Sequence, residues 1–200
     1  TGRVTTDVEA EDTRTRIVDA ALRCLESNEF QRVSMETIAQ EANVGRATMY
    51  RHFANRDDVL AAVVLSETHR VLGELVPVAR AEPDAGSAIV KLITLVVEVG
   101  PNEPTIAALV SRGNYLFTRD LLVDSADELF AMTAENVEAL LAGREHELRP
   151  GVSREDVAEW VLRITISLLT VRGPRRRRNA ELEDHLRRFL APVLTTSPSD

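Results

Sequence analysis

Residues 33–56, VSMETIAQEANVGRATMYRHFANR, constrain the fold more than any other stretch of this chain. Met35, Ile38, Ala39 and Ala42 fall at i, i+3, i+4 and i+7, one apolar stripe on a short helix, and Ser34 stands where a cap is needed. Asn43-Val44-Gly45 breaks that pattern with two residues suited to turns. A second short helix follows, with Met49 and Phe53 expected inside and Arg46, Thr48, Tyr50, Arg51 and His52 around them. Two short helices joined so tightly read as a helix-turn-helix, whose second helix enters the major groove of DNA.

Composition supports an all-α chain. Aromatic residues make up only 4% of the 200 residues, alternating runs are scarce, and Ala, Leu, Glu and Arg dominate. The apolar share of 44% is enough for a substantial core. The formal net charge of −8 argues against a DNA binder until its distribution is read. Val44 to Arg56 holds three arginines, one histidine and no carboxylate. An acidic remainder limits indiscriminate binding to nucleic acid and leaves one basic face to dock.

Other classes find little support. The single cysteine, Cys24, excludes an internal disulfide and a cysteine-rich metal site, and its place on an apolar face fits an inert core thiol. His52, His69, His146 and His185 are scattered, with no metal spacing, nucleophile elbow or phosphate loop. No catalytic residue, metal or cofactor is therefore expected, and the chain is not read as an enzyme. The first residues do not resemble a signal peptide. The longest apolar runs, Ala88 to Gly100 and Trp160 to Val171, are short for a bilayer and contain Lys91, Glu98 and Arg163. A cytoplasmic protein with no membrane partner is expected.

Periodicity predicts about nine helices. Residues 1–11 are polar and unpatterned, an expected disordered tail. The first helix is expected from Asp12 or Thr13 to about Asn28, burying Ile17, Ala21, Cys24 and Leu25, with Phe30 and Val33 closing the small core. Asn55 should cap a fourth helix that has Asp57 and Asp58 in its first turn and ends near Pro77. Further helices are expected over 87–99, 104–112 with Gly113 as stop, 118–142 as one long element, from Ser153 onward with Asp156 three residues on, and over 180–194. The expected domains are a helix-turn-helix DNA-binding domain at 12–54 and a helical ligand-binding and dimerisation domain at 55–194, with a second disordered tail at 195–200. The first is too small for a robust core by itself and should lean on the fourth helix.

From Thr13 to about Val64 the chain resembles the tetracycline-repressor (TetR) family of bacterial transcription regulators. The resemblance is carried by RIVDAALRCLESNEF, VSMETIAQEANV and ATMYRHFANRDDVLAAVV. The family's Ile-Ala pair, Gly-Val-Ser turn, Leu-Tyr-x-His-Phe recognition helix and following basic residue appear as Ile38-Ala39, Asn43-Val44-Gly45, Met49-Tyr50-Arg51-His52-Phe53 and Arg56. Two positions depart from it. Asn43 replaces the turn glycine, and Asn is the next most tolerant residue for a left-handed backbone. Gly45 replaces a serine, so a phosphate contact there is absent or made through the amide.

Roles follow from the chemistry and the resemblance. Arg46 and Thr48 lie early on the recognition helix, where arginine reads guanine and a threonine methyl suits thymine, and Ala47 permits close approach. The resemblance implies phosphate contacts for Tyr50 and His52, and either a base or a phosphate for Arg51. Arg56 and the amides beside it should grip phosphate. Arg14, Ser34, Val44 and Gly45 complete the candidate DNA-contacting set.

The remainder resembles the family in length and helical character. The segment Trp160 to Val171 is apolar around most of its circumference, so it should be buried on more than one side. The resemblance implies that the last two helices pair with their copies. That assigns Val161, Ile164, Leu168, Leu182, Leu186, Phe189, Leu190 and Val193 to a homodimer interface, which would present two reading heads to a near-palindromic operator in double-stranded DNA. The same residues could instead complete a monomer core. The resemblance also implies a small-molecule effector, with His69, Leu72, Leu95, Val99, Leu109, Tyr115, Phe117, Phe130 and Trp160 as candidate lining and a largely apolar ligand as the expected class. The leading expectation is a dimeric repressor released by that ligand. A regulator governed by a protein partner or by its own level, and a helical small-molecule carrier, are the alternatives. The run Arg175 to Arg178 fits a solvated or dimer-edge loop and is assigned no DNA contact.

Overall fold

The computed structural model describes the backbone of residues 2–27, 32–109, 115–171, 173–175 and 177–196, with side chains described except at 2–10, 27, 108–109 and 115–119. The chain is all-α. The helices are α1 (Gly2–Ser27), α2 (Met35–Glu41), α3 (Arg46–His52), α4 (Arg56–Arg80), α5 (Ala85–Val99), α6 (Pro104–Leu109), α7 (Tyr115–Asp124), α8 (Ala126–Leu141), α9 (Arg154–Thr170), α10 (Asn179–Phe189) and α11 (Ala191–Leu194). Among the described residues there is no strand, only an isolated bridge between Leu148 and Thr195.

Two compact units divide the chain, Thr1–Glu67 and Thr68–Asp200. The division falls inside α4 rather than at its start, because the helix lends residues to two cores. Val59, Ala62 and Val63 join Ile17, Ala21, Cys24, Val33, Ile38, Met49 and Phe53 in the first. Val76 and Ala79 belong to the second, which is built on Ala88, Ile89, Leu92 and Ile93 of α5 with Val137 and Leu140 of α8, Val157 and Val161 of α9, and Leu182 and Leu186 of α10. Burying one such aliphatic side chain stabilises by about 1.5–3 kcal/mol.

Several boundaries differ from the sequence-based expectation, each for a local reason. α1 begins at Gly2, ahead of the expected cap at Asp12 or Thr13 and through the expected disordered tail. Residues 3–27 hold neither Pro nor Gly, and Asp12 to Arg16 has the favourable i, i+4 order. α4 runs past Pro77 to Arg80. Proline costs one helical hydrogen bond, but Val76 and Ala79 are buried beside it, and Arg80 donates to the carbonyls of Ala139 and Ala142. The long helix expected over 118–142 breaks at Ser125, whose φ −107 and ψ 24 lie outside the helical region; Asp127 and Glu128 then begin α8 in the first turn that the dipole favours. The helix expected over 180–194 divides at Leu190, ahead of Pro192, which supplies no N–H. Thr195 and Thr196 are tied down instead of starting a loose tail: the amide of Thr196 donates to the Glu147 carbonyl at 2.8 Å, and that of Thr195 to the Ala191 carbonyl at 2.9 Å. Phe30, Gly113 and the end of the helix expected over 104–112 lie outside the described residues.

The long apolar stretch Ala85–Asn102 has the length and composition to cross a membrane, contrary to the shorter run read from sequence, yet half of it is buried inside the chain. It is the central helix of the second core.

Candidate nucleic-acid interface

The reading head is assembled from capping and turn chemistry. Ser34 closes a reciprocal box on α2: its hydroxyl accepts from the Thr37 amide at 3.2 Å, and the Thr37 hydroxyl accepts from the Ser34 amide at 2.9 Å. The helix ends in a six-residue return. The Val44 amide donates to the Ala39 carbonyl at 3.0 Å and the Asn43 amide to the Gln40 carbonyl at 3.1 Å, the bonding of a Schellman motif. That motif needs a left-handed residue after the cap, and Asn43 supplies it with φ 52. The departure from glycine is therefore accommodated.

α3 begins at Gly45, whose extended backbone (φ −72, ψ 154) caps without a side-chain hydrogen bond. A Cβ placed there would meet nothing within 4 Å. Met49 at 1% exposure and Phe53 at 4% fix the inner face of the helix against Ile38 and its neighbours. That leaves Arg46, Ala47, Tyr50 and Arg51 exposed and Thr48 half-buried at its edge. The Arg46 guanidinium lies over the Tyr50 ring, 5.5 Å from its centroid, and that of Arg14 over Phe53 at 5.0 Å. Arg14 of α1 is thus brought to the recognition helix.

His52 behaves differently from its neighbours. Its Nε2 atom is buried and makes no hydrogen bond among the described residues. Burial first, then the charges of Arg51 and Arg14, hold its pKa below the ordinary imidazole value. The phosphate contact that the resemblance implies is not offered by that atom in this conformation. Arg56 is half-buried, with Nε donating to the Val33 carbonyl and Nη1 paired with Asp57 at 3.1 Å. Those bonds tie α4 to the entry of α2, a seating role that the sequence did not reveal. The α4 cap is also reciprocal: Asn55 Oδ1 accepts from the Asp58 amide at 3.0 Å, and Asp58 Oδ2 accepts from the Ala54 and Asn55 amides. Cys24 sits buried under α2, with its thiol pKa raised chiefly by burial.

The second unit presents a surface groove of about 610 Å³ along α9 and α10, lined by Trp160, Ile164, Leu168, His185, Phe189 and Val193 among others. The residues assigned to a dimer interface divide around it. Val161, Leu182, Leu186 and Leu190 are buried in the chain's own core, because a helix hydrophobic on several sides spends one side on its own unit. Ile164 and Leu168 are half-buried, whereas Phe189 and Val193 are exposed. Trp160, a candidate ligand-lining residue, is 48% exposed and stands on this outer groove. The i, i+4, i+8 series Trp160, Ile164, Leu168 and its counterpart His185, Phe189, Val193 are the signals that would have found the face.

The other candidate ligand residues are not brought to this groove. Leu72 and Leu95 pack against the second core, Val99 and Phe130 are half-buried, and His69 is exposed. Arg163 covers the Phe130 ring at 5.8 Å. The side chains of Leu109, Tyr115 and Phe117 lie outside the described residues.

Comparison with known proteins agrees with this geometry. Residues 17–63 match the family model of bacterial regulatory proteins, tetR family. A helix-turn-helix-type transcriptional regulator of Mycobacterium tuberculosis is 31% identical over 183 residues, covering 90% of this chain and 84% of that protein. The regulator UidR of Escherichia coli is 24% identical, covering 94% and 96%. Among solved structures, the fold is similar to the TetR family repressor AlkX of a Dietzia strain, with TM-score 0.69 at 22% identity, covering 90% of this chain and 93% of that one. It is equally similar to the repressor QsdR of R. erythropolis, with TM-score 0.69 at 22% identity, covering 95% and 99%. With a helix-turn-helix of this geometry, the family-model match and a relative at that identity over most of both chains, the chain belongs to the TetR family of DNA-binding transcriptional regulators.

Proposed function

We propose that the chain is a cytoplasmic repressor that binds a near-palindromic operator as a homodimer and leaves it when a small, largely apolar ligand occupies its second unit. The exposed face of α3 carries the reading. Arg46, Ala47, Tyr50 and Arg51 stand on it with Thr48 at its edge, and the buried Met49 and Phe53 hold it rigid. Arg46 and Thr48 are the base readers, Tyr50 and Arg51 reach base or backbone, and Arg14, Ser34, the Val44–Gly45 amides and Arg56 border the phosphates, with His52 joining them only where its ring turns outward.

The dimer reading is supported by the outer groove. Trp160, Phe189 and Val193, at 48%, 64% and 53% exposure, are large apolar side chains gathered on one surface. Such a patch on a regulator of a symmetric site calls for a self-complementary partner. The ligand follows from the resemblance, with Leu72, Leu95 and Phe130 as its candidate contacts.

Sedimentation of the protein without DNA is expected to give a dimer at micromolar concentration; a stable monomer contradicts the interface. Footprinting on the DNA upstream of the chain's own gene should show a protected, near-palindromic site. Affinity there should fall steeply with salt, and random DNA should bind more weakly. Equal affinity for both would leave the operator reading without support.

A further inference from the structure

The arginine run after α9 takes no part in the function described so far. Arg175 and Arg178 are exposed and Arg177 is half-buried, and no ion pair to any of the three is found among the described residues. That is unexpected in a chain with 32 acidic against 24 basic residues, where a carboxylate partner is easily found. The opposite end of the same helix is acidic. Glu155 and Asp156 occupy the first turn of α9, and Asp156 also lines the groove. Asp156 accepts the Ser153 amide at 2.8 Å, and both acidic residues are exposed. Hydrogen bonds, from the Glu155 backbone amide and Ser153 for Glu155 and from Ser153 for Asp156, hold the two carboxyls below their ordinary pKa, so this end of the helix carries negative charge.

Symmetry joins the two ends. Asp156, Trp160, Ile164 and Leu168 form one stripe along α9. A twofold axis sets this stripe against its own copy, either parallel or antiparallel. A parallel pair stacks arginine on arginine and carboxylate on carboxylate. An antiparallel pair centred near Ile164 sets Trp160 against Leu168 and carries the acidic turn to the far end of the partner's helix, where the arginine loop begins.

We infer that two copies pair antiparallel along α9, with Arg175, Arg177 and Arg178 of one copy against Glu155 and Asp156 of the other. The arginine loop then fixes the direction and register of the dimer, and the apolar stripe supplies its cohesion. The inference rests on the dimer proposed above.

The test is sedimentation equilibrium of the full chain at low and high salt, with circular dichroism confirming that each variant is folded. The wild-type dimer should weaken as salt rises. R175Q/R177Q/R178Q should raise the dissociation constant by about 3- to 30-fold and remove most of that salt dependence. E155R should weaken the dimer, and joining it to R175E/R177E/R178E should restore part of the loss. An unchanged or tighter dimer in the triple glutamine variant overturns the inference, a tighter one indicating parallel pairing. An unchanged dimer with weaker, less salt-dependent DNA binding also overturns it and assigns the loop to phosphate. A wild-type monomer is a different result, which removes the dimer reading itself.

Discussion

Met49→Ala separates holding the recognition helix from reading with it. Met49 is 1% exposed and packs in the same cluster as Ile38 and Phe53. Truncation removes three side-chain heavy atoms, about 2.4 kcal/mol at ~0.8 kcal/mol each. The cavity left behind brings the cost to about 2–5 kcal/mol. A unit the size of Thr1–Glu67 holds about 3–10 kcal/mol at ~0.05–0.15 kcal/mol per residue, so the loss is a large part of the whole. α3 has only seven residues and no standing as an isolated helix, so it should open first. Hydrogen exchange read by mass spectrometry is the assay. Peptides within 35–53 should exchange roughly 30-fold faster or more, while peptides of α5 keep the wild-type rate. DNA affinity should fall for operator and random DNA alike, because the whole docking face is lost. Wild-type exchange across α2 and α3 would refute the reasoning, since the buried methionine would then not hold the helix.

Two further predictions concern the same head. Gly45→Ser should stabilise the chain by a few tenths of a kcal/mol, because its Cβ enters open space and its hydroxyl can accept from the Thr48 amide; a lower melting temperature would contradict the cap geometry. His52 should make the first unit acid-sensitive. Its folded pKa lies below the unfolded value of about 6.5, so the unfolded chain takes the proton first, and stability present above that value is lost as pH falls through it. Urea unfolding at pH 7.5 and 5.5 should show a larger loss for the wild type than for H52Q, and equal losses would remove His52 as the cause.

Much of the reading head was legible because it is specified locally. Ser34, Asn43, Asn55 and the Met49–Phe53 pair act through partners within a few residues, so spacing alone reveals them. Arg56 is the exception: its link to the Val33 carbonyl spans 23 residues, and nothing in the local text distinguishes it from a phosphate ligand. The second unit was harder for the same reason. Pro77 reads as a stop, but the continuation of α4 depends on carbonyls of α8 far along the chain. Apolar spacing on α9 and α10 marked both helices as buried without saying which side faces the chain's own core. Leu182, Leu186 and Leu190 went inward, while Trp160, Phe189 and Val193 stayed out. A helix with two apolar sides has two partners, and its sequence does not order them.

The central claim is that α3 reads base sequence, and fluorescence anisotropy with the chain's operator and with random DNA tests it most directly. Arg46→Ala or Thr48→Ala should weaken operator binding by about 1–3 kcal/mol and leave random-DNA binding nearly unchanged. Equal losses on both DNAs would contradict base reading and reduce α3 to a general phosphate contact.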